Sequence, residues 1–271
     1  MRFRTAAIAI TALLSTTGTV SAHEAPIWSR VEIPPVEVPG AQPARRALPA
    51  RLALPSGPGP FAAVIVLHTC GGIQQHESDW AARLVGWGYA TLVPDSFGPR
   101  NVGDVCRNTR SVTGLDRAGD AIAAALFLRT VPQVNGDAIG VIGFSHGGTG
   151  AGIATRATIS ERYPNLIKAS VNYYGFCGSS EVPRNTPILV LIGSEDDWVS
   201  AKDCADFAQR VQATPPVELV IYPGVTHSFD DPNAHGNYLG HRVEYDAAAA
   251  GDSVTRTRAF FDRWLRRVPP A

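Results

Sequence analysis

Residues 143–148 read Gly-Phe-Ser-His-Gly-Gly, and no other stretch constrains this chain as tightly. They close the apolar run 137–144, which has the near-continuous hydrophobicity of a buried parallel strand, and they precede the small, helix-compatible residues 149–158. Strand, sharp turn and helix in that order turn the G-x-S-x-G pattern into a nucleophile elbow. In an elbow a strained turn lifts a serine hydroxyl to the carboxyl end of its strand. Glycines at 143, 147 and 148 leave room for backbone to approach closely on either side. Ser145 is therefore the candidate nucleophile.

The rest of the chain supplies a setting for such a turn. A proline-rich, polar segment over 23–59 holds an edge hairpin near 46–54. From residue 61 onward strands alternate with helices. Strands are expected at 61–67, 89–94, 137–144, 167–174, 187–192 and 217–222. Helices are expected at 78–88, with Trp80, Leu84 and Trp87 on one face and Gly88 as its stop, and at 115–130, 149–158, 200–211 and 252–268. Ser200, with Asp203 three residues on, caps the fourth helix. This order predicts an α/β fold, a mostly parallel central sheet with helices on both faces, and ligands bound at the strands' carboxyl ends. The loop over 96–111, with three arginines, falls on that same end.

The N-terminus reads as a secretory signal peptide: Arg2 and Arg4, an apolar segment over 6–14, and the small-residue cleavage pattern ending at Ala22. Residues 1–22 are thus expected to be removed, leaving 23–271 as a single exported domain, periplasmic or secreted. No segment is long enough to span a bilayer. The full chain carries 24 basic and 24 acidic residues, and loss of Arg2 and Arg4 leaves 22 against 24. A near-neutral chain without a basic run offers no footprint for nucleic acid. In an oxidising compartment Cys70, Cys106, Cys177 and Cys204 are expected as disulfides. Of three pairings, Cys70–Cys106 with Cys177–Cys204 is favoured, since each joins loops leaving neighbouring strands on one side of the sheet. None has C-x-x-C spacing, so neither a zinc nor a redox site is expected.

A serine hydroxyl needs a neutral histidine to take its proton and an acid to hold that histidine in the right tautomer, here in chain order Ser, Asp, His. Asp196 follows the apolar strand 187–192 in the pattern G-x-x-D-x-x-V, competing with Glu195 and Asp197. His227 follows the next strand in Pro-Gly-x-x-His-x-Phe, whereas His23, His76, His235 and His241 lie where surface exposure is the default. His68 and His146 flank the oxyanion site, where their backbones matter more than their rings. One oxyanion donor is the backbone N–H of His146; the other is that of Thr69 or Cys70, in a loop that Gly71 and Gly72 allow to come close.

These residues together resemble the dienelactone hydrolase family of the α/β-hydrolase fold. The resemblance runs from Phe61 to the C-terminus. It rests on His-Thr-Cys-Gly-Gly at 68–72, residues 80–89, Pro-Asp-Ser-Phe-Gly-Pro-Arg at 94–100, the elbow, Tyr-Tyr-Gly at 173–175, Gly-Ser-Glu-Asp-Asp-Trp at 193–198 and Tyr-Pro-Gly-Val-Thr-His at 222–227. It implies hydrolysis of small-molecule esters or lactones through an acyl-enzyme, with no metal or organic cofactor; the sequence leaves the oligomeric state open, a monomer being favoured. It also implies substrate contacts at Arg100, Tyr174 and Trp198. Two positions depart from the family pattern: Ser145 stands where the namesake enzymes carry a cysteine, and His68 where they carry a glutamate. A general esterase is therefore expected rather than an enzyme restricted to dienelactone, with Arg100, helped by Arg107 or Arg110, selecting acidic substrates. Rival readings are a peptidase, for which no propeller or lid domain is evident, and an esterase directed at acetylxylan or polyesters. From another class come a metal-binding protein using His227, Asp230, Asp231, His235 and His241, and a catalytically inactive binding protein.

Overall fold

The computed structural model describes residues 27–178, 182–214 and 217–266, so the signal-peptide expectation lies outside the described residues. In chain order the elements are β1 (Ile27–Ile33), β2 (Leu48–Leu54), β3 (Phe61–Leu67), α1 (Gln75–Gly86), β4 (Ala90–Pro94), α2 (Gly114–Leu128), β5 (Val134–Phe144), α3 (His146–Ala154), α4 (Ala157–Ser160), β6 (Ala169–Tyr173), β7 (Ile188–Gly193), α5 (Ala201–Arg210), β8 (Glu218–Tyr222), the short pair β9 (Asn237–Tyr238) and β10 (His241–Arg242), and α6 (Ala247–Leu265). Eight strands form one sheet in the order β1-β2-β4-β3-β5-β6-β7-β8, within which β2 alone runs against the others.

Side-chain alternation along the central strands sets the layers. Val64 and Val66 of β3, with Ile142 and Phe144 of β5, pack with Trp80 and Leu84 of α1 and Phe260 and Phe261 of α6. Ala63, Ile65 and Leu67, with Ile139 and Val141, pack on the opposite face with the alanine-rich α2 and with Ala151 of α3. From Ala63 of β3 and Ala138 of β5 onward both faces are thus dry, as a parallel strand requires.

Local chemistry sets the element ends and explains where they differ from the sequence reading. The hairpin pairs β2 with Ile27–Ile33 rather than folding within 46–54. The intervening segment carries Pro34, Pro35, Pro39 and Pro43, which lack the N–H groups that strand pairing needs. Helix α1 starts at 75 because the Glu77 carboxylate accepts the Gln74 N–H at 2.8 Å. Helix α6 starts at 247 because Asp246 accepts the Ala249 N–H at 2.8 Å, a cap worth about 1 kcal/mol. After the elbow the single helix expected over 149–158 is broken, since the Thr155 hydroxyl donates back to the Gly152 carbonyl at 2.7 Å and competes with the helical ladder.

Register brings the loops of interest together. Leu67 of β3 lies opposite Gly143 of β5, so the segment leaving β3 at His68 runs beside the elbow. Gly193 of β7 lies opposite Tyr222 of β8, so the loops carrying Asp196 and His227 leave the sheet as neighbours.

Candidate active site

Ser145 sits between β5 and α3 with φ 51° and ψ −114°. That conformation costs a non-glycine residue about 1–3 kcal/mol. It is held by the Ser145 N–H donating to the Tyr173 carbonyl at 2.9 Å and by the Ser145 carbonyl accepting from the Thr149 N–H at 3.0 Å. The turn is too tight for side chains around it: a Cβ on Gly143 would fall 2.1 Å from the Gly147 carbonyl oxygen, and one on Gly147 would fall 2.2 Å from that of Leu67.

The serine hydroxyl meets the two groups that leave the far side of the sheet. Ser145 Oγ lies 2.9 Å from Nε2 of His227, and Nδ1 of His227 lies 2.7 Å from Oδ2 of Asp196. Asp196 can only accept, so Nδ1 carries the ring proton and Nε2 is free to accept one. The other Asp196 oxygen is held by the N–H groups of Trp198 at 3.0 Å and Val199 at 2.8 Å. His227 and Asp196 are buried, and the imidazole lies between the rings of Tyr174, 4.7 Å away, and Trp198, 5.2 Å away. Glu195 and Asp197, the competing acids, are exposed; Asp197 faces His241 at 3.3 Å.

Two cavities meet at Ser145. One, of about 370 Å³, runs past the Cys70–Cys106 disulfide, Thr149, Phe176, Trp198 and Arg110. The other, of about 300 Å³, lies under β9 and β10 and is lined by Gln74, His227, Asn233, His235, Asn237 and Tyr238. A larger cleft of about 630 Å³, between β1, β2 and α1, contains none of Ser145, His227 and Trp198. At the mouth shared by the two cavities stand the His146 N–H, first in α3, and the segment Thr69-Cys70. The Thr69 N–H already donates to Glu77 Oε1 at 3.0 Å. Cys70, the other expected alternative, has its side chain pinned by its disulfide, and its carbonyl accepts the Val105 N–H at 2.9 Å.

The sequence profile of the Dienelactone hydrolase family matches residues 48–265. The chain belongs to that family. As a member it is a hydrolase. It is 30% identical over 202 residues to a Bradyrhizobium protein named as a 2-oxo-3-(5-oxofuran-2-ylidene)propanoate lactonase, covering 67% of this chain and 79% of that one. It is 26% identical over 241 residues to a Methylorubrum extorquens protein named as a carboxymethylenebutenolidase, covering 80% and 77%. The crystal structure of a protein from Klebsiella pneumoniae described as a dienelactone hydrolase superposes with a TM-score of 0.69 at 20% identity, covering 89% of this chain and all of the other.

For this dienelactone hydrolase family member the structure corrects two expected substrate contacts. Arg100 does not reach the cavities. The short turn Gly98–Arg100 folds its side chain inward, where both terminal nitrogens grip the Asp120 carboxylate, at 2.8 and 2.9 Å, and donate further to the carbonyls of Ser96 and Gln42. Its four terminal N–H groups are thereby used, and the remaining Nε–H is buried away from the cavities. Tyr174 is also buried, its hydroxyl donating to Asp230 at 2.6 Å while its ring backs His227. It supports the imidazole from behind. Trp198 does line both cavities, and Arg107 is exposed without lining either. The disulfides are Cys70–Cys106 and Cys177–Cys204, which fits an oxidising, exported environment. Among the described residues no helix is long and apolar enough to cross a membrane.

Around the site lies a ring of buried polar groups that sequence reasoning missed. His76, expected at the surface, is buried and bonded through Nε2 to Asp230 at 3.0 Å; Trp80 donates to the same carboxylate at 2.7 Å. Burial acts to lower the His76 pKa, but the Asp230 and Glu77 carboxylates outweigh it and raise it to about 10. Burial likewise acts to raise the pKa of Asp230, and the charge of His76 more than offsets it, leaving the carboxyl below its ordinary value. A signal for this pair was present: the stripe Trp80, Leu84 extended back one turn reaches His76. The side chains of the proposed metal run also go separate ways, His227 to Asp196, Asp230 to His76, His241 to Asp197 and Asp231 to the Asn233 N–H.

Proposed function

We propose that this protein is a serine carboxylic-ester hydrolase, an esterase or lactonase working through an acyl-enzyme. Ser145 Oγ attacks the substrate's carbonyl carbon as its proton passes to Nε2 of His227. The tetrahedral oxyanion is met by the N–H groups of His146 and Cys70. The imidazolium returns the proton to the departing alkoxide, which in a lactone stays attached to the acyl group. Water, activated by the same nitrogen, then releases the acid and restores Ser145. Asp196 fixes the tautomer throughout. The observation that carries this reading is the unbroken hydrogen-bonded chain from Asp196 through His227 to Ser145, ending where two cavities of ester size meet.

The names of the relatives support lactones among the substrates, and the replacement of the family's cysteine by Ser145 supports a broader ester range. Two disulfides, with the signal-like N-terminus, support an exported enzyme. Labelling the protein recovered from outside the cytoplasm with a fluorophosphonate tests both parts. The expected product is a chain that begins at His23 and carries one phosphonate, on Ser145. A label on another residue, or none, would refute the nucleophile assignment, and a retained residue 1 would refute the export reading.

A further inference from the structure

Beneath the two oxyanion amides lies a cation that the proton-transfer chain does not use. Arg117, on α2, is wholly buried. Its Nη1 donates to Nδ1 of His146 at 3.0 Å and its Nη2 to the His68 carbonyl at 2.8 Å. Among the described residues no carboxylate bonds to it, since Asp120, the strongest favourable charge on it, is already gripped by Arg100. Burying a guanidinium without a carboxylate of its own costs stability, so packing alone does not explain its place. Burial lowers its pKa to about 10, which leaves it charged at neutral pH.

The contacts are specific to the two oxyanion segments. A guanidinium only donates, so Nδ1 of His146 must accept, which places that ring's proton on Nε2, a buried atom with no hydrogen-bond partner among the described residues. Burial first, and Arg117 second, hold the His146 pKa at about 3, so the ring is neutral wherever the enzyme works. His146 carries one oxyanion N–H; His68 lies two residues before Cys70, which carries the other. The two segments touch directly, because a Cβ on Gly147 would fall 2.5 Å from the same His68 carbonyl oxygen that Arg117 binds. The α2–α3 contact that seats Arg117 is close as well: a Cβ on Gly150 would fall 2.6 Å from Arg117 Cβ.

We propose that Arg117 is the positioning residue of the oxyanion hole, one guanidinium that fixes the spacing of the His146 and Cys70 amides and places a fixed positive charge behind them. The inference rests on the serine-hydrolase reading above. Its consequence is that loss of Arg117 damages binding of the tetrahedral state more than binding of the ground state. The test compares wild type, Arg117→Met and Arg117→Lys by active-site titration with a fluorophosphonate, by kcat and KM on a short-chain aryl ester, and by inhibition with an alkylboronic acid, which forms a tetrahedral adduct on serine. Arg117→Met is expected to lower turnover per titrated site by about 10- to 100-fold, with KM little changed and boronate inhibition weakened in parallel. Arg117→Lys, which keeps a charge but not the fork, recovers part of both. Turnover per titrated site and boronate affinity equal to wild type, with only the melting temperature lowered, would overturn the proposal. Wild-type turnover in Ser145→Ala would instead remove the hydrolase reading beneath it, a result read independently of the Arg117 variants.

Discussion

At Ser145, strain and function are one property: φ 51° is what turns the hydroxyl off the strand axis and toward Nε2 of His227, 2.9 Å away. The same single-residue view moves the search for a substrate-facing arginine. With Arg100 consumed by Asp120, the guanidinium that lines the cavity beside Ser145 is that of Arg110. We predict, as a hypothesis, that Arg110→Ala lowers the ratio of activity on acidic to neutral esters by roughly 2- to 5-fold, the size of an exposed ion pair, with the effect fading in high salt. An unchanged ratio would sink it. That Ser145, Asp196 and His227 would meet was readable in the sequence because each follows an apolar strand within a short motif that fixes its own local geometry. Arg100 and Tyr174 were misread because their fates depend on Asp120 and Asp230, partners that only the folded chain brings near.

On the scale of elements, the segment between β8 and α6 must hold His227 still although, apart from the short β9–β10 pair, its backbone is irregular from 223 to 246. Asp230 does this by collecting Trp80 and His76 from α1 and Tyr174 from the end of β6. His76 holds its proton more tightly folded than unfolded, so its contribution is complete below its ordinary value of 6.5 and is lost as pH rises through about 10. Asp230, with its pKa depressed, contributes above its ordinary 3.8 and loses this as pH falls below it. His76→Gln should therefore destabilise the protein by about 2 kcal/mol between pH 5 and 6.5, with the gap in melting temperature closing toward pH 10. A gap that widens with pH would contradict the ion-pair account. The helices and central strands were legible from periodicity, but their first turns were not. Glu77 and Asp246 extend α1 and α6 backward through caps that the hydrophobic stripe does not register.

Across the whole molecule, the parallel sheet gathers at one end everything the chemistry needs. The β3 loop brings Cys70, β5 Ser145, β7 Asp196 and β8 His227, with register placing the first two and the last two side by side. The Cys70–Cys106 disulfide ties the segment after β3 to the wall of the cavity beside Ser145. The edge hairpin, with its long proline-rich connection, is the part of the architecture that pattern reading placed incorrectly, because its pairing is set by contacts across the sheet. The central claim is that an ester passes its acyl group to Ser145, and rapid mixing with a slowly deacylating aryl ester followed by peptide mass mapping tests it most directly. The account predicts a burst of phenol release matched by one acyl group on Ser145, both absent in Ser145→Ala. Wild-type turnover in Ser145→Ala, or an acyl group found on any other residue, would contradict it.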